Sequence, residues 1–221
     1  VGKGVWQFKL SKYHGTDPVS ALGTGRDKVL NIGEVIDFES NSADYGLTDF
    51  GGATSSIVVD PTDSSNKAVS ITKSAGSDDW AGTSVASGSI FYPLTSSETG
   101  ITVRVWSPAA GVQVKIKLEE SGDTSKHVET DAITSVSSGW ETLTFDFRNH
   151  SEGTPALNTS YVFDNLIIYM NYGVVGSDEV YYFDDIKFIG AVPLDVTASS
   201  LVGNWKMAPE AGAFSVGPNA G

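Results

Sequence analysis

Residues 101–119 read ITVRVWSPAAGVQVKIKLE, and the reading of this stretch decides the fold. Two runs of strict alternation flank Ser107-Pro108-Ala109-Ala110-Gly111, so apolar and polar side chains point to opposite faces of two strands. On one parity lie Ile101, Val103, Val105, Val114, Ile116 and Leu118, which can be buried together; on the other lie Arg104, Trp106, Lys115, Lys117 and Glu119. The spacing predicts a β-hairpin with one polar outer face. An indole, a guanidinium, two ammonium groups and a carboxylate on one face can stack on a sugar ring and hydrogen-bond its hydroxyls. The same set also describes a salt-bridged outer face of a sandwich, since antiparallel sheets commonly keep one face in water. The hairpin alone leaves both readings open.

Working outward, short alternating segments recur between turns. Val35–Ser40, Ser56–Asp60, Lys67–Lys73 and Ser89–Leu94 precede the central stretch. Lys126–Ile133, Trp140–Phe147 (WETLTFDF), Val162–Tyr172 (VFDNLIIYMNY) and Tyr181–Phe188 (YYFDDIKF) follow it. Pro61–Asn66 and Gly173–Asp178 have turn composition. Trp80 falls in a loop or at a strand edge within DDWAGT. Strands separated by turn signals, without helical crossovers, predict an all-β chain folded as a jelly-roll β-sandwich over 34–190, with extended terminal segments. Residues 1–14 contain an alternating run that predicts one strand, 15–33 has linker composition, and 191–221 ends in a Gly/Ala/Pro-rich stretch.

The chain of 221 residues has 14 Lys and Arg against 27 Asp and Glu, a net charge of −13. That field repels nucleic acid and anionic membrane surfaces and favours neutral partners. With no Cys, thiolate chemistry, disulfides and zinc–thiolate sites are excluded. No apolar run approaches the roughly 20 residues that span a bilayer, so membrane insertion is not expected, and any export signal or lipid anchor is expected upstream of Val1.

Several stretches together resemble a known family. Asp37-Phe38-Glu39, Phe50-Gly51-Gly52, Lys73 with Trp80-Ala81-Gly82, VRVWSPAAGVQVKIKLE, WETLTFDF and YYFDDI are similar in order to jelly-roll carbohydrate-binding modules of the family 4 and 9 type. Such modules are attached to secreted polysaccharide-degrading proteins of marine Bacteroidetes. The ends resemble a second module type, GVWQFKL its closing strand and LVGNWKMAPEAGAFSVGP its opening. The resemblance implies the tail of one module at 1–14, a complete binding module, and the start of another within 191–221. It also implies a monomeric part of a multi-module protein at the cell exterior or outer-membrane surface: a surface glycan-binding protein or a laminarinase-associated module.

Family 16 β-glucanases carry Glu-x-Asp-x-(x)-Glu on one strand, but Glu34 lies three residues before Asp37 and so faces away from Asp37 and Glu39. That motif does not assemble the carboxylate pair of a glycosidase. His14, His127 and His150 lack a paired metal spacing, and no GxSxG elbow is present. The expectation is a non-catalytic protein. Asp37, Glu39 and Asp185 can meet if the first and last strands are neighbours, and all-oxygen ligands suit Ca²⁺. The resemblance carries a structural Ca²⁺ onto Glu39 and Asp185, with Asp184 adjacent. For carbohydrate, the candidates are Trp80, Arg104, Trp106, Lys115, Lys117, Glu119, Tyr169 and Asn171, taken as one concave face. Resemblance and acidity together point to a neutral polysaccharide, with a laminarin-type β-1,3-glucan as the specific expectation. A structural spacer and an accessory module of a glycoside hydrolase or polysaccharide lyase are the alternatives.

Overall fold

The computed structural model describes residues 28–40 and 45–192. The terminal module pieces expected at 1–14 and beyond 192, and most of the 15–33 stretch, lie outside the described residues. Thirteen strands run in order: β1 Lys28–Val29, β2 Val35–Ile36, β3 Thr48–Phe50, β4 Ala53–Val59, β5 Lys67–Lys73, β6 Gly82–Val85, β7 Ile90–Phe91, β8 Gly100–Ser107, β9 Gln113–Glu120, β10 Asp123–Ile133, β11 Gly139–Asp146, β12 Asn165–Met170 and β13 Glu179–Gly190. They form a front sheet in the order β10-β9-β12-β6-β3 and a back sheet in the order β11-β8-β13-β5-β4, to which β2 adds along β13. Both are antiparallel throughout. A short parallel pair, β1 with β7, stands apart from them. The result is the expected all-β sandwich of jelly-roll type. It starts earlier than expected, because Lys28–Val29 is already a strand and Leu30 is fully buried in the core.

The core follows the alternation. Val114, Ile116 and Leu118 of β9 and Leu166, Ile168 and Met170 of β12 meet Ile101, Val103 and Val105 of β8 and Phe145 of β11, all buried. No helix long and apolar enough to cross a membrane occurs among the described residues.

The expected hairpin is not formed. β8 pairs with β11 and β13 of the back sheet, whereas β9 pairs with β10 and β12 of the front sheet. The connection between them is an arch across the sandwich. A second arch, from β10 to β11, lies against the first: Gly111 N–H donates to Thr134 O (2.7 Å), Thr134 N–H to Val112 O (2.9 Å) and Ser138 N–H to Ser107 O (2.8 Å). Period-2 alternation says which side chains share a face, not whether the next strand lies beside it or across the core. Burying both apolar rows against each other satisfies the pattern equally well. Arg104 and Trp106 therefore face the opposite side of the molecule from Lys115, Lys117 and Glu119.

Candidate functional site

The outer face of the front sheet gathers most of the expected binding residues. Registers place Glu129, Lys117 and Ile167 in one row across β10, β9 and β12, and Asp131, Lys115 and Tyr169 in the next. Along the second row the rings form a continuous line. Trp80 stacks on Phe50 (centroids 6.0 Å, planes 14° apart), Phe50 meets Tyr169 edge-on at 5.7 Å, and Tyr169 meets Tyr172 edge-on at 5.5 Å. Lys115 Nζ closes the line 4.2 Å from the Tyr172 ring centre. Trp80 is 48% exposed, which is high for a side chain that folding usually hides.

Gly82 makes this line possible. A Cβ there would lie 2.6 Å from Ile168 O and 3.0 Å from ring atoms of both Phe50 and Tyr169. The missing side chain lets the two rings meet over the β6 backbone. Gly82→Val is expected to push the rings apart and weaken any ligand that stacks on them. A crystal structure of the variant with the Phe50–Tyr169 contact unchanged would contradict this.

The polar groups divide by depth. Lys115, whose side chain is 5% exposed, pairs with Glu129 Oε2 at 2.9 Å and Asp131 Oδ1 at 3.7 Å. Glu119 accepts from Asn165 Nδ2 (2.8 Å), and the Asn165 amide oxygen in turn accepts from Ser84 Oγ. These buried groups brace the floor. Lys117 is more open, at 16%, and pairs with Glu119 Oε2 at 2.7 Å. Burial pushes the Tyr169 hydroxyl well above the ordinary phenol range, reinforced by the Glu129 and Glu119 charges, so it stays a neutral donor.

Asn171 does not join this face. It follows the end of β12 with φ of 49°, a left-handed conformation that breaks the alternation. Its side chain lies near the buried Tyr181 and lowers that hydroxyl's pKa against the effect of burial, its carbonyl accepts from Lys73, and it is Tyr172 that joins the front face. Sequence reading missed Phe50, Tyr172, Glu129 and Asp131. Period 2 along Lys126–Ile133 puts Glu129 and Asp131 on one side, a signal that was present, whereas nothing local marks Tyr172 or the short β3. Tyr45, in the loop before β3, is fully buried, and its hydroxyl donates to Asp37 Oδ1 at 3.3 Å.

Arg104 and Trp106 lie on the back sheet. Arg104 Nη1 bridges Asp60 Oδ2 (3.0 Å) and Asp184 Oδ2 (3.2 Å). Burial raises the Asp184 carboxyl to about 6, helped by the neighbouring Asp185 charge and opposed by Asn66 and Arg104. β2 does pair with β13, at Ile36 with Ile186, which brings the proposed calcium ligands to one edge. Burial also raises Asp185, as do the Asp37 and Glu39 charges near it. However, Lys67 N–H donates to Glu39 Oε1 (2.8 Å) and Lys67 Nζ to Glu39 O (2.6 Å). Among the described residues no group of three or more His, Asp or Glu side chains is placed to hold a metal ion. The carboxylates crowd at this edge without converging, and Asp184 is engaged by Asn66 and Arg104.

No protein-family model matches the chain. No curated protein matches it. Among solved structures it is similar to the CBM22-1 xylan-binding domain of Paenibacillus barcinonensis Xyn10C, at 15% identity and a TM-score of 0.46, covering 73% of this chain and 99% of that one. It is also similar to the family 11 carbohydrate-binding module of the Clostridium thermocellum cellulase Lic26A-Cel5E, at 16% identity and a TM-score of 0.47, covering 74% and 98%. A third likeness is to the family 29 module CBM29-2, at 13% identity and a TM-score of 0.44, covering 72% and 94%.

Proposed function

We propose that this chain is a non-catalytic module that binds a neutral polysaccharide across the outer face of the front sheet, a laminarin-type β-1,3-glucan being the specific ligand. One observation carries the reading: a line of rings, exposed at Trp80, half-buried at Phe50 and Tyr172 and buried at Tyr169, crosses the outer side of the front sheet and ends at the ion-paired Lys115. Ring faces stack on the C–H faces of sugars, and Lys117 supplies a donor whose direction is fixed by its pairing with Glu119. A spacer module has no use for such a line. In this reading the module belongs to a multi-module protein acting at the cell exterior.

Affinity electrophoresis against laminarin, mixed-linked β-glucan, xylan and mannan tests it. Retardation in laminarin is expected; free migration there with retardation in another polymer would replace the ligand, and free migration in all would remove the function. Lys117→Ala is expected to weaken binding by about 1–3 kcal/mol, the cost of losing a charged hydrogen-bond partner, and to lower the melting midpoint as well, because the buried Glu119 carboxylate loses its cation. Unchanged affinity in both Lys117→Ala and Tyr172→Ala would move the site off this face.

The calcium reading carries over as a proposal for the β2–β13 edge, supported by the repulsion that the Asp37 and Glu39 charges exert on Asp185 where the two strands pair. A bound divalent ion would relieve that repulsion and stabilise the fold by mass action. The melting midpoint is expected to rise when CaCl₂ is added after EDTA treatment, and more than with MgCl₂. Equal midpoints in EDTA and in calcium would eliminate the ion.

A further inference from the structure

The opposite face of the sandwich carries a second line of rings. Trp140 of β11, Trp106 of β8 and Tyr182 of β13 are direct ladder partners, so they stand side by side across three neighbouring strands. The line spans about 10 Å, two interstrand spacings. All three side chains are half-buried. Trp106 meets Tyr182 edge-on at 5.4 Å, and Trp140 lies 6.4 Å from Tyr182.

One end of the line, Trp140, is anchored. Trp140 Nε1 donates to Asp60 Oδ1 (3.1 Å) and Thr62 Oγ1 (3.0 Å), and the Arg104 guanidinium lies 4.0 Å over the Trp140 ring. Asp60, itself buried, also accepts from Arg104, so indole and guanidinium share one anchor. Rigid rings lose little entropy when a ligand settles on them.

The next residues along the same strands open into a depression of about 350 Å³, lined by Thr102, Arg104, Thr142, Asp185 and Lys187 and, on its apolar side, by Val35 and Ile189. Registers put Thr142 and Asp184 on either side of Arg104, one step along from the rings. Hydroxyls, a guanidinium, an ammonium and a carboxylate thus surround a hollow beside the aromatic line. Arg104 and Lys187 face Asp60, Asp184 and Asp185, so no surplus positive charge favours an anion. A neutral polyhydroxyl ligand matches both halves: ring faces for its C–H surface, and mixed donors and acceptors for its hydroxyls.

We infer that the outer face of the back sheet is a second carbohydrate-binding surface, taking a short stretch of neutral β-linked glycan with one sugar on the Trp106–Tyr182 line and its neighbour in the depression beside Arg104. The inference rests on the reading of the module as a glycan binder and makes it two-faced. One module could then hold two chains of the same polymer, with avidity that neither face has alone.

The test is a titration of the ¹⁵N-labelled protein with laminarihexaose, cellohexaose, xylohexaose and mannohexaose in turn, following amide and indole resonances. At least one hexaose is expected to shift two separate sets: Lys117, Tyr169 and Tyr172 on the front, and Trp106, Trp140 and Tyr182 on the back. Trp106→Ala is expected to weaken the back response at least tenfold and leave the front set unchanged. Thr142→Gln, at an exposed position that supports no core packing, is expected to do the same by crowding the depression. Shifts in the front set alone would overturn this inference and leave the proposed function standing. Shifts in the back set alone would support it and remove the front site. No shift with any hexaose would overturn both.

Discussion

Replacing Lys73 with methionine is expected to lower the stability of the domain by about 3 kcal/mol, the scale of losing a buried charged hydrogen-bond donor. Lys73 has the core parity of β5 and is 1% exposed. Its ammonium donates to Asp79 O (3.0 Å) and Asn171 O (2.9 Å), joining the turn before β6 to the end of β12. Burial pushes its pKa down, and the Asp79 and Glu179 charges push back. Methionine fills similar space without a donor, so the two carbonyls lose that partner; Asp79 O keeps the Gly173 N–H (3.0 Å) and Asn171 O keeps the Val174 N–H (3.2 Å). For a domain of this size the midpoint is expected to fall by about 6–12 °C. Because the same turn carries Trp80, glycan affinity should fall as well. Thermal unfolding and affinity electrophoresis read the two effects, and an unchanged midpoint would show that the ammonium contributes nothing net.

Asp60→Asn is the second large effect, again about 3 kcal/mol, because it breaks a buried ionic network rather than a surface pair. The Asp60 carboxylate accepts from Thr62 N (2.7 Å), Thr62 Oγ1 (2.8 Å), Asn66 Nδ2 (3.2 Å), Arg104 Nη1 (3.0 Å) and Trp140 Nε1 (3.1 Å). Burial alone would raise its pKa, but the donors from Thr62, Asn66 and Trp140 outweigh burial and hold it well below the ordinary 3.8. The native state thus binds this proton less readily than the unfolded chain. The stability Asp60 contributes is complete above the unfolded value and is lost as pH falls below it toward the folded value. Melting midpoints between pH 7 and pH 2.5 are expected to fall more steeply for the wild type than for Asp60→Asn on the acid side. Parallel curves would show that the network does not depend on the charge. The variant should also loosen Trp140, which shares this anchor.

Both networks bear on how much of the site was legible in the sequence. Lys73 sits at a core position in KAVSITK, and a lysine at core parity signals a buried charge with partners. The partners are main-chain carbonyls from distant loops, and no side-chain pattern announces those. Lys115, Lys117 and Glu119 were correctly placed on one face by period 2. Their depth was not legible, because Glu129, Asp131 and Asn165 come from neighbouring strands to bury Lys115 and Glu119.

Local chemistry by itself determined the strands with clean alternation and the side of each that enters the core, as in WETLTFDF, where Leu143 and Phe145 are buried and Thr142 and Thr144 exposed. It did not mark β6, whose Gly-Thr-Ser-Val carries no alternation and is buried throughout. Only the tertiary structure decided that β8 and β9 belong to different sheets. The alternation of a strand is satisfied by any partner that covers its apolar side, so adjacent pairing and an arch across the core share one sequence pattern. Contacts among β11, β8 and β13 on one side and β10, β9 and β12 on the other chose the arch. That choice sent Arg104 and Trp106 to one face and Lys115 and Lys117 to the other, and split the residues expected on one surface between two.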